Sequence, residues 1–218
     1  MKTVRRLVAF LLVTVWAALA GTAAGAADTP AGAALSETDS ANVARVEAYI
    51  NTLKTVQSRF MQMSSEGSYA EGNFYLSRPG RMRIEYDAPV PVLIVANKSV
   101  LVYYDKSLEQ TSYIGLDSTP AGILVGAEVS FSGKVSVTGF ERGSNALRVT
   151  LAQTEDPLGG SITLVVSDNP MVLRKWAVTD AQGVVTNVSL LGARFGVALD
   201  PELFRIKTPW DEKQEQRE

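Results

Sequence analysis

The 218-residue chain contains no cysteine and no histidine. Their absence excludes a disulfide framework, Cys- or His-ligated metals, and the Ser-His-Asp and Cys-His nucleophiles. Charge of one sign is scarce too. The chain sets 21 Lys and Arg against 23 Asp and Glu, a net charge of −2, so it lacks the basic footprint of a nucleic-acid binder. No G-x-S-x-G or Walker loop occurs. Carboxylates, Lys, Tyr and Ser are present in no catalytic arrangement, and the expectation is a non-enzyme with no cofactor and no metal site. A hydrophobic content of 46% is enough for the core of one ordinary domain.

The N-terminus reads as an address. Lys2, Arg5 and Arg6 precede an apolar run over residues 7–20, followed by small residues from Gly21 to Ala27. At 14 residues the run is short of the ~20 needed to cross a bilayer as a helix. Residues 1–27 are therefore expected to be a cleaved secretory signal peptide, cut after Ala26 or Ala27. Loss of its three cations leaves 18 basic against 23 acidic residues, a net charge of −5. With no cysteine to carry a lipid anchor, the product is expected to be soluble, and export without cysteine suits the bacterial periplasm. Residues 28–39 have no periodicity and read as a flexible lead-in, with a single domain over 40–210 and a charged tail at 211–218.

From residue 41 to about 61, Val43, Val46, Ile50, Leu53, Val56 and Phe60 recur at three- and four-residue spacing. This predicts one amphipathic helix with Ser40 as its N-cap. The period then changes to two. Met82, Ile84 and Tyr86 alternate with Arg81, Arg83, Glu85 and Asp87, a half-buried strand with one wet face. Similar runs at 70–77, 92–96, 100–104, 110–114, 134–138, 146–152, 161–167, 173–179, 184–191 and 203–207 bring the total to about eleven strands. Short turn-forming separators such as Arg78-Pro79-Gly80 and Asp180-Ala181-Gln182-Gly183 imply sequential antiparallel hairpins.

Twist accumulated over so many strands curls a sheet toward a barrel or half-barrel, which has an inside. The long helix and a short stretch over 119–126, with Thr119 as N-cap and Pro120 at the first helical position, are available to plug or cover it. That stretch, weakened by Gly122 and Gly126, fits a movable lid or an ordinary packed loop equally well. The fold class is thus mainly β: a curled antiparallel half-barrel closed by an N-terminal amphipathic helix and a short lid helix.

Three runs then carry a family pattern. They are Arg59-Phe60-Met61-Gln62, the stretch 71–89 with Gly72, Phe74, Arg78 and Pro79, and Tyr104-Asp105 followed by Gln110. In this order and spacing the chain resembles the LolA family of periplasmic carriers of outer-membrane lipoproteins, over nearly the whole mature length. The resemblance implies an apolar cavity that shelters lipoprotein acyl chains. It also implies two kinds of partner, acylated lipoproteins and an inner-membrane lipoprotein-releasing ABC transporter, with an outer-membrane acceptor left open. A monomer that binds no nucleic acid is expected. A LolA-like lipid carrier or lipid sensor with other cargo is the alternative. The chain departs from the family in having Met82 and Ile84 where an aromatic pair is common, Asn97-Lys98 where Asp-Gly is common, and Ala121 where a bulky residue often follows the lid proline.

Phe74, Leu76, Met82, Ile84 and Tyr86 are the expected acyl-contacting residues, although their spacing alone would suit an ordinary core. Arg78 shares the parity of Phe74 and Leu76, which puts a cation at the end of an apolar face. It is either a solvated strand-end residue or a latch that donates to unpaired carbonyls of the lid, with Pro120, Ile123 and Leu124.

Overall fold

The computed structural model describes residues 35–116 and 119–205. The expected signal peptide, the lead-in up to residue 34 and the tail at 211–218 lie outside the described residues. Helix α1 spans Glu37–Thr52 and is capped by Ser36, not Ser40. Ser36 Oγ accepts from the Asp39 N–H at 3.1 Å and donates to Asp39 Oδ2 at 2.7 Å. Ser36-Glu37-Thr38-Asp39 has the serine-to-acid spacing of a capping box, and both acids favour the positive end of the helix dipole. The helix thus takes in three residues assigned above to the lead-in.

It also ends nine residues early. Strand β1, Thr55–Ser64, occupies the second half of the predicted helix. Val56 and Phe60 are four apart, a spacing that suits both a helical face and one face of a strand, and the small polar Ser58 between them masks the alternation. Buried Val56, Ser58 and Phe60 alternate with half-exposed neighbours.

The remaining strands are β2 Tyr69–Ser77, β3 Arg81–Tyr86, β4 Val92–Asn97, β5 Val100–Asp105, β6 Gln110–Gly115, β7 Val135–Arg142, β8 Ala146–Gln153, β9 Gly160–Ser167, β10 Val172–Asp180 and β11 Val185–Phe195. They form one antiparallel sheet in the order β6-β5-β4-β3-β2-β1-β11-β10-β9-β8-β7. Apart from the β1–β11 ladder, every pair is a sequential hairpin. The pattern is that of an up-and-down barrel left open between β6 and β7.

The opening has a consequence for the chain. Alternating directions on both sides of the β1–β11 ladder make β6 and β7 point the same way, so no hairpin can join them. Residues 116–134 must return along the strand length, and they carry helix α2, Pro120–Val125. Thr119 precedes α2, but its hydroxyl donates back to Leu116 O at 2.8 Å and makes no cap.

One continuous apolar core gathers Val43, Val46 and Ile50 of α1, Leu124 and Val125 of α2, and the inward residues of most strands. α1 is fastened at the far side by the Arg45–Asp168 ion pair at 2.9 Å and by the Leu173 N–H donating to Tyr49 Oη at 3.0 Å. A second cluster lies on the outer face, where Leu93, Val95 and Tyr104 pack with Phe204, Leu199 and Leu203. It explains why β4 is buried on both faces and reads Val-Leu-Ile-Val-Ala without alternation.

Phe204 belongs to a 3-10 helix, Pro201–Phe204, and not to the strand predicted at 203–207. Among the described residues the total is still eleven, because β1 was unforeseen and residues 203–205 are not in a strand. Asp200 caps the turn by accepting from the Glu202 N–H at 2.9 Å, and Arg81 lies over the Phe204 ring at 5.5 Å. The Leu203 carbonyl accepts from Arg83 Nη1 at 3.1 Å. Truncation to Phe204→Ala should cost about 3 kcal/mol of stability by urea unfolding. A loss under about 0.5 kcal/mol would mean that the outer cluster contributes nothing to holding β4.

Candidate functional site

Strand register arranges the inner face of β1–β6 in rows. Val56, Leu76, Met82, Ala96, Leu101 and Ile114 lie side by side across six strands. The adjacent row runs Ser58, Phe74, Ile84, Ile94 and Tyr103. A third begins Phe60, Gly72 and Tyr86. Of the residues expected to contact acyl chains, Phe74, Leu76 and Met82 are buried, while Ile84 and Tyr86 are half-buried against the same core. Phe74 packs on Trp176 with ring centroids 5.2 Å apart. Leu124 is buried in this core and Ile123 packs against it; Pro120 is the first residue of α2.

Two quoted motif residues converge on Tyr86. Phe60 meets its ring edge to face at 5.3 Å, and Gln62 Oε1 accepts its hydroxyl at 2.8 Å. Gly72, between Phe60 and Tyr86, leaves the space for this. A Cβ there would overlap the Glu85 carbonyl and come within 2.7 Å of Phe60 Cε1. Burial raises the Tyr86 hydroxyl well above the usual phenol range, though its bond to Gln62 opposes the shift. Asp105 ends β5 as a turn residue, accepting from the Ser107 and Leu108 N–H groups and the Ser107 hydroxyl. Burial disfavours its charge, but these donors hold the carboxyl below its ordinary range. Arg59, one residue before Phe60, faces outward and pairs with Asp87 and Glu71. Its hydrogen bond holds the exposed Asp87 carboxyl low.

Arg78 is buried at the N-terminal end of β3, where α1 and α2 both end. Nη1 donates to the Ile50 carbonyl at 2.6 Å and to that of Leu53 at 3.3 Å. Nε donates to Gly126 O at 2.9 Å, and Nη2 to Ala127 O at 3.4 Å and Asn51 Oδ1 at 3.3 Å. Neither helix has a basic residue in its last turn, and Arg78 brings the same cation to both C-terminal ends. Burial lowers its pKa, yet a guanidinium stays protonated.

The turn around Arg78 repeats the connection through the backbone. The Arg78 N–H donates to Lys54 O at 2.8 Å and the Gly80 N–H to Val125 O at 2.8 Å. Gly80 has φ +78°, and a Cβ there would sit 3.1 Å from Lys98 Cα.

Asn51 had no place in the sequence reading, because one asparagine on a helix carries no pattern. Its amide forms a two-way pair with Val129, accepting from the N–H at 2.9 Å and donating to the carbonyl at 2.8 Å. Glu47 Oε1 accepts from the Phe131 N–H at 3.3 Å. The segment following α2 is thus held by Arg78 at Gly126 and Ala127 and by Asn51 and Glu47 of α1 at Val129 and Phe131. Phe60, Gln62, Gly72 and Tyr103 were likewise not foreseen as site residues; the motifs containing the first three were the available signal.

A family model described as "Outer membrane lipoprotein carrier protein LolA" matches residues 51–207, which includes β1–β11, α2 and Arg78. The chain belongs to the LolA family. It is 31% identical over 181 residues to an outer-membrane lipoprotein carrier protein of Pseudomonas paraeruginosa, covering 78% of this chain and 86% of that one. To the protein of the same description from Azotobacter vinelandii it is 28% identical over 182 residues, covering 79% and 87%. Among solved structures, a LolA superfamily protein from Nitrosomonas europaea matches with a TM-score of 0.46 and 10% identity, covering 75% of this chain and 97% of that one.

Against the LolA pattern described above, Lys98 occupies a left-handed turn position at φ +59°, where glycine would be relaxed. In this LolA-family chain the docking of residues 126–131 can be tested at a single amide. Asn51→Ala should speed hydrogen exchange at Val129 by about tenfold, equivalent to ~1.4 kcal/mol. An unchanged rate would show that this segment is held without Asn51.

Proposed function

We propose that this protein is a periplasmic carrier that shelters the acyl chains of lipoproteins inside the half-barrel and ferries them from the inner toward the outer membrane. The observation that carries the reading is an inner sheet face that is almost all apolar, with the sheet left open between β6 and β7 and the end of α2 held by Arg78. The names of its relatives support lipoprotein cargo. In the closed form Phe74, Leu76 and Met82 are buried, so loading requires α2 to move and the inner rows to part. Arg78, with α2 residues Pro120, Ile123 and Leu124, acts as the latch.

The need for such a shelter follows from hydrocarbon solubility. At ~0.8 kcal/mol per methylene, one sixteen-carbon chain resists transfer into water by about 12 kcal/mol. Since the sequence contains no nucleotide-binding loop, energy for extraction comes from a partner, an inner-membrane lipoprotein-releasing ABC transporter. The carrier works as a monomer, catalyses no covalent step and hands its cargo to the outer membrane or an acceptor there.

Mass spectrometry of material captured by the protein during export in its native host tests the proposal. Polypeptides with an N-terminal diacylglyceryl-cysteine are the expected cargo, and free lipid without such polypeptides would contradict it. Ile84→Glu supplies a second test, because an unpaired carboxylate among apolar neighbours costs several kcal/mol or stays protonated. The variant should keep its circular dichroism spectrum while binding of an apolar fluorescent dye weakens about tenfold or more. Unchanged dye affinity would remove this row from the acyl site.

A further inference from the structure

The inner face of the sheet contains a polar group that the structure leaves without a partner. Tyr103 projects from β5 into the main core, and its Oη is fully buried with no hydrogen-bond partner among the described residues. Buried tyrosine hydroxyls ordinarily find one, and phenylalanine would fill the same space without the unmet donor. Burial, reinforced by the negative charge of Asp105, pushes its pKa up to about 12, so at neutral pH the group is a proton donor.

Its neighbourhood is also polar. Tyr86 stands one row beyond Ile84, the residue level with Tyr103, and is bonded to Gln62. Gln62, Tyr86 and Tyr103 stand near the C-terminal ends of β1, β3 and β5, three strands that run in one direction. Gln62 and Tyr86 mark that end of the half-barrel, and Tyr103 lies one row inside Tyr86, level with Ile84. Arg78 and the helix ends lie at the other, beyond Met82, which is about 13 Å from Tyr86 along β3 at ~3.3 Å per residue.

A pure hydrocarbon offers Tyr103 nothing to donate to, whereas an acylated glycerol brings ester carbonyls at the head of each chain. We propose that Tyr103, beside the Tyr86–Gln62 pair, is a polar subsite that donates a hydrogen bond to an ester carbonyl of a bound diacylglyceryl group. This rests on the carrier reading and adds direction to it. The ester heads lie at Tyr103 and the acyl chains run from there across Ile94, Ile84 and Phe74 and over the adjacent row of Met82 and Leu76.

The test uses purified, delipidated protein and displacement of a bound apolar dye. One pair of competitors is a dipalmitoyl-glyceryl-cysteine peptide and its dihexadecyl ether analogue, which lacks both ester carbonyls. A second pair is dipalmitoyl phosphatidylglycerol and its ether analogue. Wild-type protein should bind the ester lipopeptide several-fold more tightly than the ether, and Tyr103→Phe should abolish that preference while leaving ether affinity unchanged. The infrared ester carbonyl band of the bound lipopeptide should move to higher frequency in the same variant. Equal affinity for ester and ether in the wild type, or a preference that survives Tyr103→Phe, would overturn the subsite while leaving the carrier reading intact. A Tyr103-dependent preference confined to the phospholipid pair would keep the subsite and overturn lipoprotein cargo. Failure of every lipid to displace the dye would overturn both.

Discussion

The guanidinium of Arg78 is buried and charged, and it donates to the carbonyls of Ile50, Leu53, Gly126 and Ala127 and to the amide of Asn51. None of these partners is a carboxylate. Moving a cation out of water costs several kcal/mol after relaxation, and each charged hydrogen bond returns about 1.5–3 kcal/mol. No single bond of this size offsets the cost of burial, so the cation depends on several of its acceptors at once. A carboxylate partner would have made a deeper, self-contained ion pair with no need of the helices. With neutral acceptors on two separate elements, the cation is satisfied only while both helix ends are in place.

The sheet topology gives that connection its importance. A barrel closed by a ladder between β6 and β7 would hold itself shut through backbone hydrogen bonds. Here the two strands are parallel in direction and are the unpaired edges of the sheet. The segment from α2 to residue 131 is fastened instead by the side chains of Arg78, Asn51 and Glu47 and by the Gly80–Val125 backbone bond, with Leu124 and Val125 seated in the core. A few such side-chain contacts separate at lower cost than a full strand ladder.

Much of this was legible in the sequence. Alternation revealed most of the strands because their polar faces are wet, β4 showed as a short apolar run, and turn residues marked the hairpins. The rows containing Met82, Ile84 and Phe74 followed from parity, as did the placement of Arg78 on the inner side. The junction at Leu53 and Lys54 was not legible, since no glycine or proline marks the end of α1 and the four-residue spacing of Val56 and Phe60 suits either period. Phe204 was assigned to a strand because its partners, Leu93 and Val95, are distant in sequence and on the outer face. The contacts of Asn51 and the unpartnered hydroxyl of Tyr103 arise only from tertiary neighbours, which local pattern does not encode.

The balance at Arg78 is tested most directly by following loading and release separately in Arg78→Leu. The substitution removes the bonds that hold the empty closed form and adds apolar surface at the rim, so it weakens the empty state relative to the loaded one. Acceptance of an acylated lipopeptide should proceed at close to the wild-type rate, while release to acceptor membranes should slow by about tenfold or more, with Arg78→Lys intermediate because an ammonium cannot fork across two carbonyls. Wild-type rates in both steps would contradict the account and leave Arg78 a structural residue at a strand end.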